Sequence, residues 1–265
     1  MKLGVIGCGK MGRALVGGIV GAGLCRPADV TVFDTHLPSA QAMANDLGLT
    51  VAAGNEGVVT NSEVILLCTK PQGFGTMLTE LGDSTDKLLI SIAAGIRIEA
   101  IESGSGGRHR VIRVMPNTPA LIGKGASAYA LGTAATTADA TIAESLLGAV
   151  GYVCRVDEDQ LDAVTAVSGS GPAYFFLMLE ALISAGVNEG LSPAIARDLA
   201  VHTAAGAAEL VLATGETPAI LRENVTSPNG TTFAALESFR KDHFETIVSR
   251  GVAAAADRSR ELGKS

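Results

Sequence analysis

Three glycines near the start of the chain have the spacing of a site for the phosphates of a dinucleotide. Gly7, Gly9 and Gly12 follow a short apolar segment, Lys2 to Ile6, and lead into an apolar, small-residue segment, Met11 to Ile19. Between a strand and a helix, the first glycine permits the tight turn, the second lets the backbone approach a pyrophosphate, and the third lets the helix pack on the sheet. The free N–H groups at the helix start favour negative phosphates. The alternative is a glycine-rich turn that binds nothing, and the strand–turn–helix context favours the dinucleotide site.

An acidic residue at the end of the second predicted strand is the candidate for the ribose contact. The segment Asp29 to Asp34 is rich in β-branched and aromatic residues, which predicts a strand. Asp34 follows Gly12 by about 20 residues, the distance at which this fold places an acid against the ribose hydroxyls. Asp34 is also suited to capping the helix that is predicted to begin near Leu37, and the two roles are compatible.

A hydroxyl-rich segment, residues 225–232, is the candidate for binding a small anionic substrate. It lies between two predicted helices, the second of which begins at Thr231 or Thr232. The free N–H groups at that helix start, together with the nearby hydroxyl groups, are suited to binding a carboxylate. On the pattern alone, an ordinary helix cap after a proline-containing turn remains the alternative. The segment Ser168 to Pro172 has a similar cap-like composition, and we interpret it as structural.

No spacing in the sequence indicates that the protein itself supplies the reactive group. We find no Ser–His–Asp pattern, no paired carboxylates and no setting for a nucleophilic cysteine, so the chemistry is expected to belong to a bound cofactor. These observations predict a nicotinamide-dependent oxidoreductase of unknown substrate. Two alternatives stay open. One is a dehydrogenase for 3-hydroxy acids, which usually needs a Lys or His that the predicted helix Pro172 to Val187 lacks. The other is a catalytically silent nucleotide sensor.

The composition argues against several classes of partner. Hydrophobic residues make up 47% of the 265 residues and charged residues 18%, as in a folded globular protein. The formal net charge of −7 argues against nucleic acid or an anionic membrane as a partner. The four cysteines and four histidines are dispersed, which predicts reduced thiols, no metal site and a cytoplasmic protein. We identify no targeting segment, and the apolar segment 163–179 is too short and too interrupted to predict a membrane span.

Strand and helix signals alternate in the first part of the chain and then change to helix signals alone. The alternation predicts an α/β fold, a Rossmann-like, doubly wound, mostly parallel sheet, followed by an all-helical C-terminal domain. We expect a dinucleotide-binding domain over residues 1–157 and a domain for substrate binding and dimerisation over residues 158–265. The strands are predicted at 2–6, 29–34, 49–52, 63–69, 88–94, 110–115, 125–130 and 151–156, and Asn55 is predicted to cap a short helix through Val59. The C-terminal helices are predicted at 161–167, 172–187, 193–214, 218–224, 231–240 and 244–262.

One predicted C-terminal helix is apolar on nearly every face. Between Pro172 and Val187, Glu180 is the only charged residue. Such a helix would leave apolar surface without a partner in a single small helical domain. The sequence therefore predicts a homodimer or a larger assembly.

Six segments of the sequence together carry a family resemblance: IGCGKMG at 6–12, CTKPQ at 68–72, SIAAGI at 91–96, RVMPNTP at 113–119, AVSGSGPAY at 166–174 and ENVTSPNGTTFAAL at 223–236. Over nearly its whole length, the chain resembles the pyrroline-5-carboxylate reductase family. The resemblance implies NAD(P)H-dependent reduction of 1-pyrroline-5-carboxylate to L-proline, the last step of proline biosynthesis. It also implies an intertwined homodimer that is often assembled further into a ring of dimers.

The resemblance assigns roles to individual positions. It implies that the glycine-rich turn binds the cofactor pyrophosphate and that Asn55 lies on the adenosine side. It also implies that the segment after the fourth strand binds the nicotinamide ribose and that Ala93 and Asn117 lie near the nicotinamide ring. It implies that the loop before the predicted helix at 231 holds the substrate carboxylate and that the Thr232 hydroxyl contacts the ring nitrogen, as the catalytic residue. With Asp34 and Thr35 included, the candidate cofactor residues are Gly7, Cys8, Gly9, Lys10, Met11, Gly12, Asp34, Thr35, Asn55, Cys68, Thr69, Lys70, Pro71, Ala93 and Asn117. The candidate substrate residues are Ser227, Gly230, Thr231 and Thr232.

The sequence departs from the family pattern at two places. Asn229 stands where a second glycine is common, which is a mild change. Asp34-Thr35 stands where the family often has Asn-Arg, and the chain has no Lys or Arg between Arg26 and Lys70. An ionised Asp34 would repel the 2′-phosphate of NADPH but would accept hydrogen bonds from the ribose hydroxyls of NADH. We therefore expect NADH to be used at least as well as NADPH.

Overall fold

The computed structural model describes residues 1–263 and contains, within that range, one eight-stranded sheet. The strands are β1 (Leu3–Ile6), β2 (Val30–Phe33), β3 (Thr50–Val51), β4 (Val64–Leu67), β5 (Leu88–Ser91), β6 (Arg110–Met115), β7 (Gly125–Leu131) and β8 (Gly151–Arg155). Their spatial order is β3-β2-β1-β4-β5-β6-β7-β8. Neighbouring strands are parallel except for β6 and β7, which are antiparallel.

Twelve α-helices lie within the same described range. They are α1 (Lys10–Gly21), α2 (Leu37–Leu47), α3 (Asn55–Thr60), α4 (Phe74–Thr79), α5 (Ile98–Gly104), α6 (Thr137–Gly148), α7 (Leu161–Val164), α8 (Gly171–Asn188), α9 (Pro193–Thr214), α10 (Pro218–Asn224), α11 (Thr231–Lys241) and α12 (Phe244–Leu262). The strands and the C-terminal helices lie close to their predicted ranges. The largest differences are at β5, which ends at Ser91, and at α7, which ends at Val164 where the π-helical turn begins.

The central strands are covered on both faces, as their apolar sequences predict. Every residue of β1, β4 and β5 is buried. Alternate side chains enter different layers: Leu66 belongs to the apolar cluster on one face, whereas Ile65 and Leu67 belong to the cluster on the other face. A parallel sheet needs such helix layers on both sides. The predicted doubly wound fold is therefore confirmed.

The strand order reverses beside β1, which creates a site for a ligand. The chain runs outward from β1 to β2 and β3, and then returns to place β4 on the opposite side of β1. In open sheets of this kind, ligands bind in the crevice outside the carboxyl ends of the strands at such a reversal. The segments that leave β1 and β4 are adjacent there, because the Cys68 N–H donates to the Ile6 carbonyl oxygen at 2.7 Å.

Asn55 does not cap α3, and the prediction that it does is wrong. Gly54 is the N-cap residue and Asn55 is the first residue of the helix. A capping side chain acts from the position before the helix, whereas Asn55 lies one residue inside it. Its amide nitrogen instead donates to a carboxylate oxygen of Glu80 at 2.7 Å, a charged and therefore stronger acceptor.

The chain forms two compact units, one made of residues 1–170 together with the segment from Ala254 onward, and the other of Gly171–Ala253. The predicted domain division at 157/158 coincides with the end of the last strand, whereas the first unit continues through residue 170. Leu161 is fully buried in the apolar cluster of the sheet, and Ser259 donates a buried hydrogen bond to Asp162 at 2.6 Å. Both flanking segments therefore pack with the sheet.

Residues 158–188 are helical, with a π-helical turn among them. Within residues 1–263, the stretch 158–188 is the one that is long and apolar enough to cross a membrane by length and composition. The predicted interruption at Ser168 to Pro172 is instead a π-helical turn at Thr165–Gly169, closed by a hydrogen bond from the Ser170 N–H to the Thr165 oxygen at 2.8 Å. This wider turn precedes Pro172, whose ring and missing N–H would disrupt a regular α-helix.

The helix α8 has the exposed apolar surface that its sequence predicts for a single chain. Phe175, Phe176 and Leu177 are 69%, 59% and 67% exposed. Large apolar side chains in one patch mark surfaces that bind another molecule. In contrast, residues 158–170 of the same stretch pack with the sheet of the first unit.

Candidate functional site

The glycine-rich turn after β1 has a shape that side chains would destroy. Gly7 has a φ of 103°, and a Cβ atom there would lie 2.7 Å from the backbone of Cys68. A Cβ atom on Gly12 would lie 2.4 Å from the Gly7 oxygen, whereas one on Gly9 would enter open space. Gly7 and Gly12 are therefore required by packing, while the open space at Gly9 leaves the backbone accessible to a ligand.

The helix that follows this turn begins without a cap. Gly9 is the N-cap residue of α1, no side chain caps the helix, and its first turn contains no acidic residue. The intrahelical bonds begin with the Arg13 N–H, which donates to the Gly9 oxygen at 2.9 Å. The preceding N–H groups thus remain available for an anion, which is the arrangement that binds a pyrophosphate.

The turn opens into a cleft of about 570 Å³ at the carboxyl ends of β1, β2 and β4, which we call the switch-point cleft. Eight of the predicted cofactor residues line it, namely Gly7, Gly9, Asp34, Thr35, Asn55, Cys68, Thr69 and Lys70. Among the other residues that line it, four were not predicted as cofactor residues and follow Lys70-Pro71 in the chain, namely Gln72, Thr76, Met77 and Glu80. These four residues lie in or next to α4, so their proximity to the cleft depends on the position of that helix.

Asp34 connects three segments at the mouth of the cleft. One carboxylate oxygen accepts the N–H of Cys8 at 2.7 Å, and the other accepts the N–H of His36 at 2.8 Å. His36 is the N-cap residue of α2, so Asp34 supports the start of that helix without itself being the cap. Because each carboxylate oxygen has two lone pairs, Asp34 retains acceptor positions for the hydroxyl groups of a ligand.

The charged side chains that line the cleft are two carboxylates and one ammonium group, from Asp34, Glu80 and Lys70. Arg13, on the adjacent helix α1, forms an ion pair with Asp46 of α2. The charged groups that line the cleft are thus acidic on balance, which is less favourable for an additional phosphate than for neutral hydroxyl groups.

The predicted nicotinamide residues Ala93 and Asn117 lie outside the lining of this cleft. Ala93 is buried in one of the apolar clusters of the sheet. The Asn117 side chain makes three hydrogen bonds: its oxygen accepts the Ala126 N–H at 2.8 Å, and its nitrogen donates to the Ser168 hydroxyl at 3.2 Å and to the Ser168 carbonyl oxygen at 3.3 Å. In the described chain, Asn117 therefore ties the loop after β6 to the π-helical turn.

The two cysteines near the cleft are unsuited to nucleophilic chemistry. Burial, reinforced by the nearby Asp34 carboxylate, raises the pKa of Cys8 to about 12. Burial, with a smaller contribution from Cys8, raises the pKa of Cys68 to about 12. Both thiols are therefore protonated at neutral pH, and a thiol in that form is a poor nucleophile and metal ligand.

The hydroxyl-rich residues 225–232, here called the hydroxyl loop, lie in the second unit between α10 and α11. Gly230 is the N-cap residue of α11, and no side chain caps this helix. The first intrahelical bond runs from the Ala234 N–H to the Gly230 oxygen at 3.1 Å, so the N–H groups of Thr231 and Thr232 precede it. The loop therefore ends in a glycine N-cap without a side-chain cap, which leaves N–H groups at the helix start for an anion.

Gly230 and Asn229 each suit the backbone shape of the hydroxyl loop. A Cβ atom on Gly230 would lie 2.3 Å from the Ser227 hydroxyl oxygen, so only glycine leaves room for that hydroxyl beside the helix start. Asn229 has a φ of 57°, a conformation that asparagine adopts more readily than most other residues with a side chain. The departure at Asn229 thus preserves the shape of the loop.

Comparisons with known proteins cover the whole chain. Residues 158–262 match the family described as pyrroline-5-carboxylate reductase dimerisation, and residues 2–95 match that described as NADP oxidoreductase, coenzyme F420-dependent. The pyrroline-5-carboxylate reductase of Arabidopsis thaliana is 43% identical over 267 residues, covering 100% of this chain and 96% of that protein. The chain belongs to the pyrroline-5-carboxylate reductase family. The reductase of Pseudomonas aeruginosa is 40% identical over 99% of this chain and 97% of its own.

Solved structures of pyrroline-5-carboxylate reductases agree with this assignment. The reductase of Coxiella burnetii has a TM-score of 0.93 and 33% identity, covering 100% of this chain and 99% of that chain. The Plasmodium falciparum pyrroline carboxylate reductase with NADP bound has a TM-score of 0.89 and 31% identity, covering 99% and 98%. The family resemblance seen in the sequence motifs is thereby confirmed, as are the fold and the class of enzyme.

Proposed function

We propose that the protein reduces 1-pyrroline-5-carboxylate to L-proline with NAD(P)H, and so catalyses the last step of proline biosynthesis. The observation that carries this proposal is the uncapped start of α11 beside Ser227, in a chain that matches pyrroline-5-carboxylate reductases over its full length. An open helix start next to a hydroxyl group is suited to a small carboxylate such as this substrate.

The residues of the switch-point cleft fit a dinucleotide. The open space at Gly9 and the uncapped start of α1 suit the pyrophosphate, and the acceptors of Asp34 suit ribose hydroxyls. The nicotinamide, when bound, supplies the hydride that is added to the carbon of the substrate C=N bond. Thr69, Lys70 and Pro71 follow β4 and would hold the nicotinamide ribose, with Ala93 and Asn117 nearer the ring.

The hydroxyl loop would bind and orient the substrate. Ser227, Gly230 and the N–H group of Thr231 are proposed to hold the substrate carboxylate, and the Thr232 hydroxyl is proposed to hydrogen-bond the ring nitrogen. Since a protonated imine accepts hydride readily, the protein needs mainly to position the substrate and to provide a hydrogen-bonding partner at the nitrogen. Thr232 is therefore the candidate catalytic residue.

The experiment that tests the proposal is an assay of nicotinamide oxidation and proline formation with pyrroline-5-carboxylate. We expect turnover with NADH or NADPH. A protein that binds nucleotide but gives no turnover with either cofactor would contradict the proposal and would favour the silent nucleotide sensor. Turnover of a 3-hydroxy acid instead would favour the related dehydrogenase, although α8 contains no Lys or His to act as its base.

For the cofactor, we propose that NADH is used at least as well as NADPH. This preference is supported by the acidic wall of the switch-point cleft, where Asp34 and Glu80 outnumber Lys70. Arg13, one of the two cations of α1, is also engaged by Asp46 in an ion pair. The relative with NADP bound shows that phosphorylated cofactor is accepted within the family, so the proposal concerns this chain's own residues.

We further propose that the protein functions as a cytoplasmic homodimer, with a ring of dimers as the larger possibility, and without nucleic acid or membrane as a partner. The match of residues 158–262 to a dimerisation family and the exposed apolar side chains of α8 support the dimer. The net charge of −7 supports the absence of an anionic polymer or membrane partner.

A further inference from the structure

Asn55 has a buried oxygen atom for which the described chain offers no hydrogen-bond partner. The residue is 5% exposed and lines the switch-point cleft. Its side-chain nitrogen donates to a Glu80 carboxylate oxygen at 2.7 Å, but its side-chain oxygen is buried and unpaired among residues 1–263. Buried polar atoms are nearly always paired in native proteins, so this oxygen calls for a donor that the described chain does not supply.

Glu80 fixes which end of the Asn55 amide is available. An ionised carboxylate can only accept hydrogen bonds, so the amide must present its nitrogen to Glu80 and its oxygen elsewhere. The hydrogen bond to a charged acceptor is stronger than one between neutral groups, which keeps the amide in this orientation. The Asn55 oxygen is thereby left as an acceptor without a described partner.

We propose that Glu80 is a positioning residue that holds the Asn55 oxygen as an acceptor for a hydroxyl group of the adenosine ribose. This inference rests on the proposed cofactor site. It adds to the acceptors of Asp34, which lines the same cleft, so that the site offers acceptors from two separate elements. A 2′-phosphate that has lost its protons has no hydrogen to donate to either acceptor. The pair therefore favours the unphosphorylated ribose.

The test measures binding of ADP, which needs no catalytic turnover, by calorimetry on the full chain. We expect Glu80→Ala and Asn55→Ala each to weaken ADP binding by about tenfold, the effect of losing one well-placed hydrogen bond. Glu56→Ala is the matched control, because Glu56 follows Asn55 in the same helix, is exposed and does not line the cleft. It is expected to leave ADP binding unchanged.

A double-mutant cycle separates positioning from a general loss of charge. If Glu80 acts through Asn55, the double variant binds ADP no more weakly than Asn55→Ala alone. Effects of the two substitutions that multiply instead would overturn the proposal.

Two deoxy analogues identify the group that the oxygen binds. In the wild-type protein, 2′-deoxy-ADP or 3′-deoxy-ADP should bind about tenfold more weakly than ADP, and Glu80→Ala should cause no further loss with that analogue. If Glu80→Ala weakened the binding of ADP and of both analogues by the same factor, the Asn55 oxygen would not bind a ribose hydroxyl. If the Glu80→Ala variant binds ADP as tightly as the wild type, this inference is wrong and the proposed function is unaffected. If the wild-type protein binds no nucleotide at all, the proposed function itself is refuted.

Discussion

Asp34 is the residue whose charge most directly affects the choice between NADH and NADPH. We expect Asp34→Asn together with Thr35→Arg to raise the ratio of kcat/KM for NADPH to that for NADH by about tenfold or more, because a repelling charge is replaced by an attracting one. Steady-state kinetics with both cofactors measure this ratio. Asn at position 34 keeps an oxygen that can accept the Cys8 N–H, so the glycine-rich turn retains its support.

The control for that change is Glu56→Gln, which removes an exposed carboxylate of α3 at a position outside the cleft lining. A small effect of this control would show that Asp34, rather than the overall charge of the region, sets the preference. A wild-type ratio that strongly favours NADPH would show that the phosphate finds a cation elsewhere and that the argument from Asp34 is wrong.

Thr232 is the residue at which turnover and cofactor binding should separate. We expect Thr232→Ala to lower kcat on the order of tenfold to a hundredfold, through loss of the hydroxyl at the imine nitrogen, while the Kd for NADH stays unchanged. Thr232→Ser keeps the hydroxyl and is expected to retain most of the activity. Turnover of the alanine variant at the wild-type rate would remove Thr232 from the mechanism.

Single residues were predictable where a local pattern determines them. The spacing of Gly7, Gly9 and Gly12 determines the turn, and the structure shows why side chains at Gly7 and Gly12 would collide. The pairing of Asn55 with Glu80 was not predictable, because the two residues are far apart in sequence and meet only through the packing of α3 and α4.

At the scale of elements, the start of α11 depends on one glycine. Gly230→Ala would place a Cβ atom 2.3 Å from the Ser227 hydroxyl, which would have to move. We expect a KM for pyrroline-5-carboxylate raised about tenfold or more, with unchanged cofactor affinity and a folded protein, as measured by kinetics, calorimetry and circular dichroism.

The matched control is Gly75→Ala in α4, where a Cβ atom would meet open space. It removes a helix-interior glycine without a collision and should stabilise the fold by up to about 1 kcal/mol through helix propensity. Gly75→Ala should leave the KM for pyrroline-5-carboxylate unchanged. If Gly230→Ala also left that KM unchanged, the hydroxyl loop would not be the carboxylate site.

The amino end of β6 gives the first unit a sensitivity to acid. His109 is 3% exposed, its Nε2 is buried without a described partner, and its Nδ1 accepts the Lys87 N–H at 3.3 Å. Burial, helped by the positive charges of Arg108, Lys87 and Arg110, lowers the pKa of His109. The unfolded chain therefore binds the proton more readily, and stability is lost as the pH falls below the ordinary histidine value of about 6.5.

We expect His109→Gln to reduce this loss between about pH 6.5 and 5, where a single such group changes the free energy of unfolding by at most about 1.4 kcal/mol per pH unit. Urea denaturation at several pH values measures it. A second loss of stability should remain at lower pH, where Asp139 becomes protonated. Burial raises the pKa of Asp139, but hydrogen bonds from Thr136 and Arg110 outweigh that effect and lower the pKa overall. An unchanged pH slope in the His109→Gln variant would contradict the assignment.

Elements were predicted well where hydrophobic periodicity identifies them. The near-continuous apolar runs of β4 and β5 indicated buried central strands, and the long helices of the C-terminal part lie close to their predicted ranges. The π-helical turn before Pro172 could not be predicted, because glycine and proline at that point indicate an interruption as readily as a widened turn.

At the scale of the whole molecule, α8 determines the expected assembly. We expect light scattering at micromolar concentration to give a dimer or a larger species, since the exposed phenylalanine and leucine side chains of α8 need a partner. Phe176→Glu should shift the protein toward monomer, whereas Ile122→Glu, an exposed apolar residue of the first unit, should not. A monomeric wild-type protein would contradict the proposed dimer.

The division of the molecule into units was only partly readable from the sequence. The loss of strand signals after residue 157 marks the end of the sheet. Nothing in composition indicates that residues 158–170 and the segment from Ala254 pack with that sheet, because helices of either unit have similar apolar patterns.

The first unit is discontinuous in sequence, which has a consequence for biosynthesis. A ribosome produces all of residues 171–253 before it produces Ser259, which bonds Asp162, and Leu262, which packs against Gly95. Multidomain chains commonly fold from the N-terminus as each domain emerges. Here residues 171–253, which include the exposed apolar helix α8, are synthesised before the nucleotide-binding unit can complete its packing.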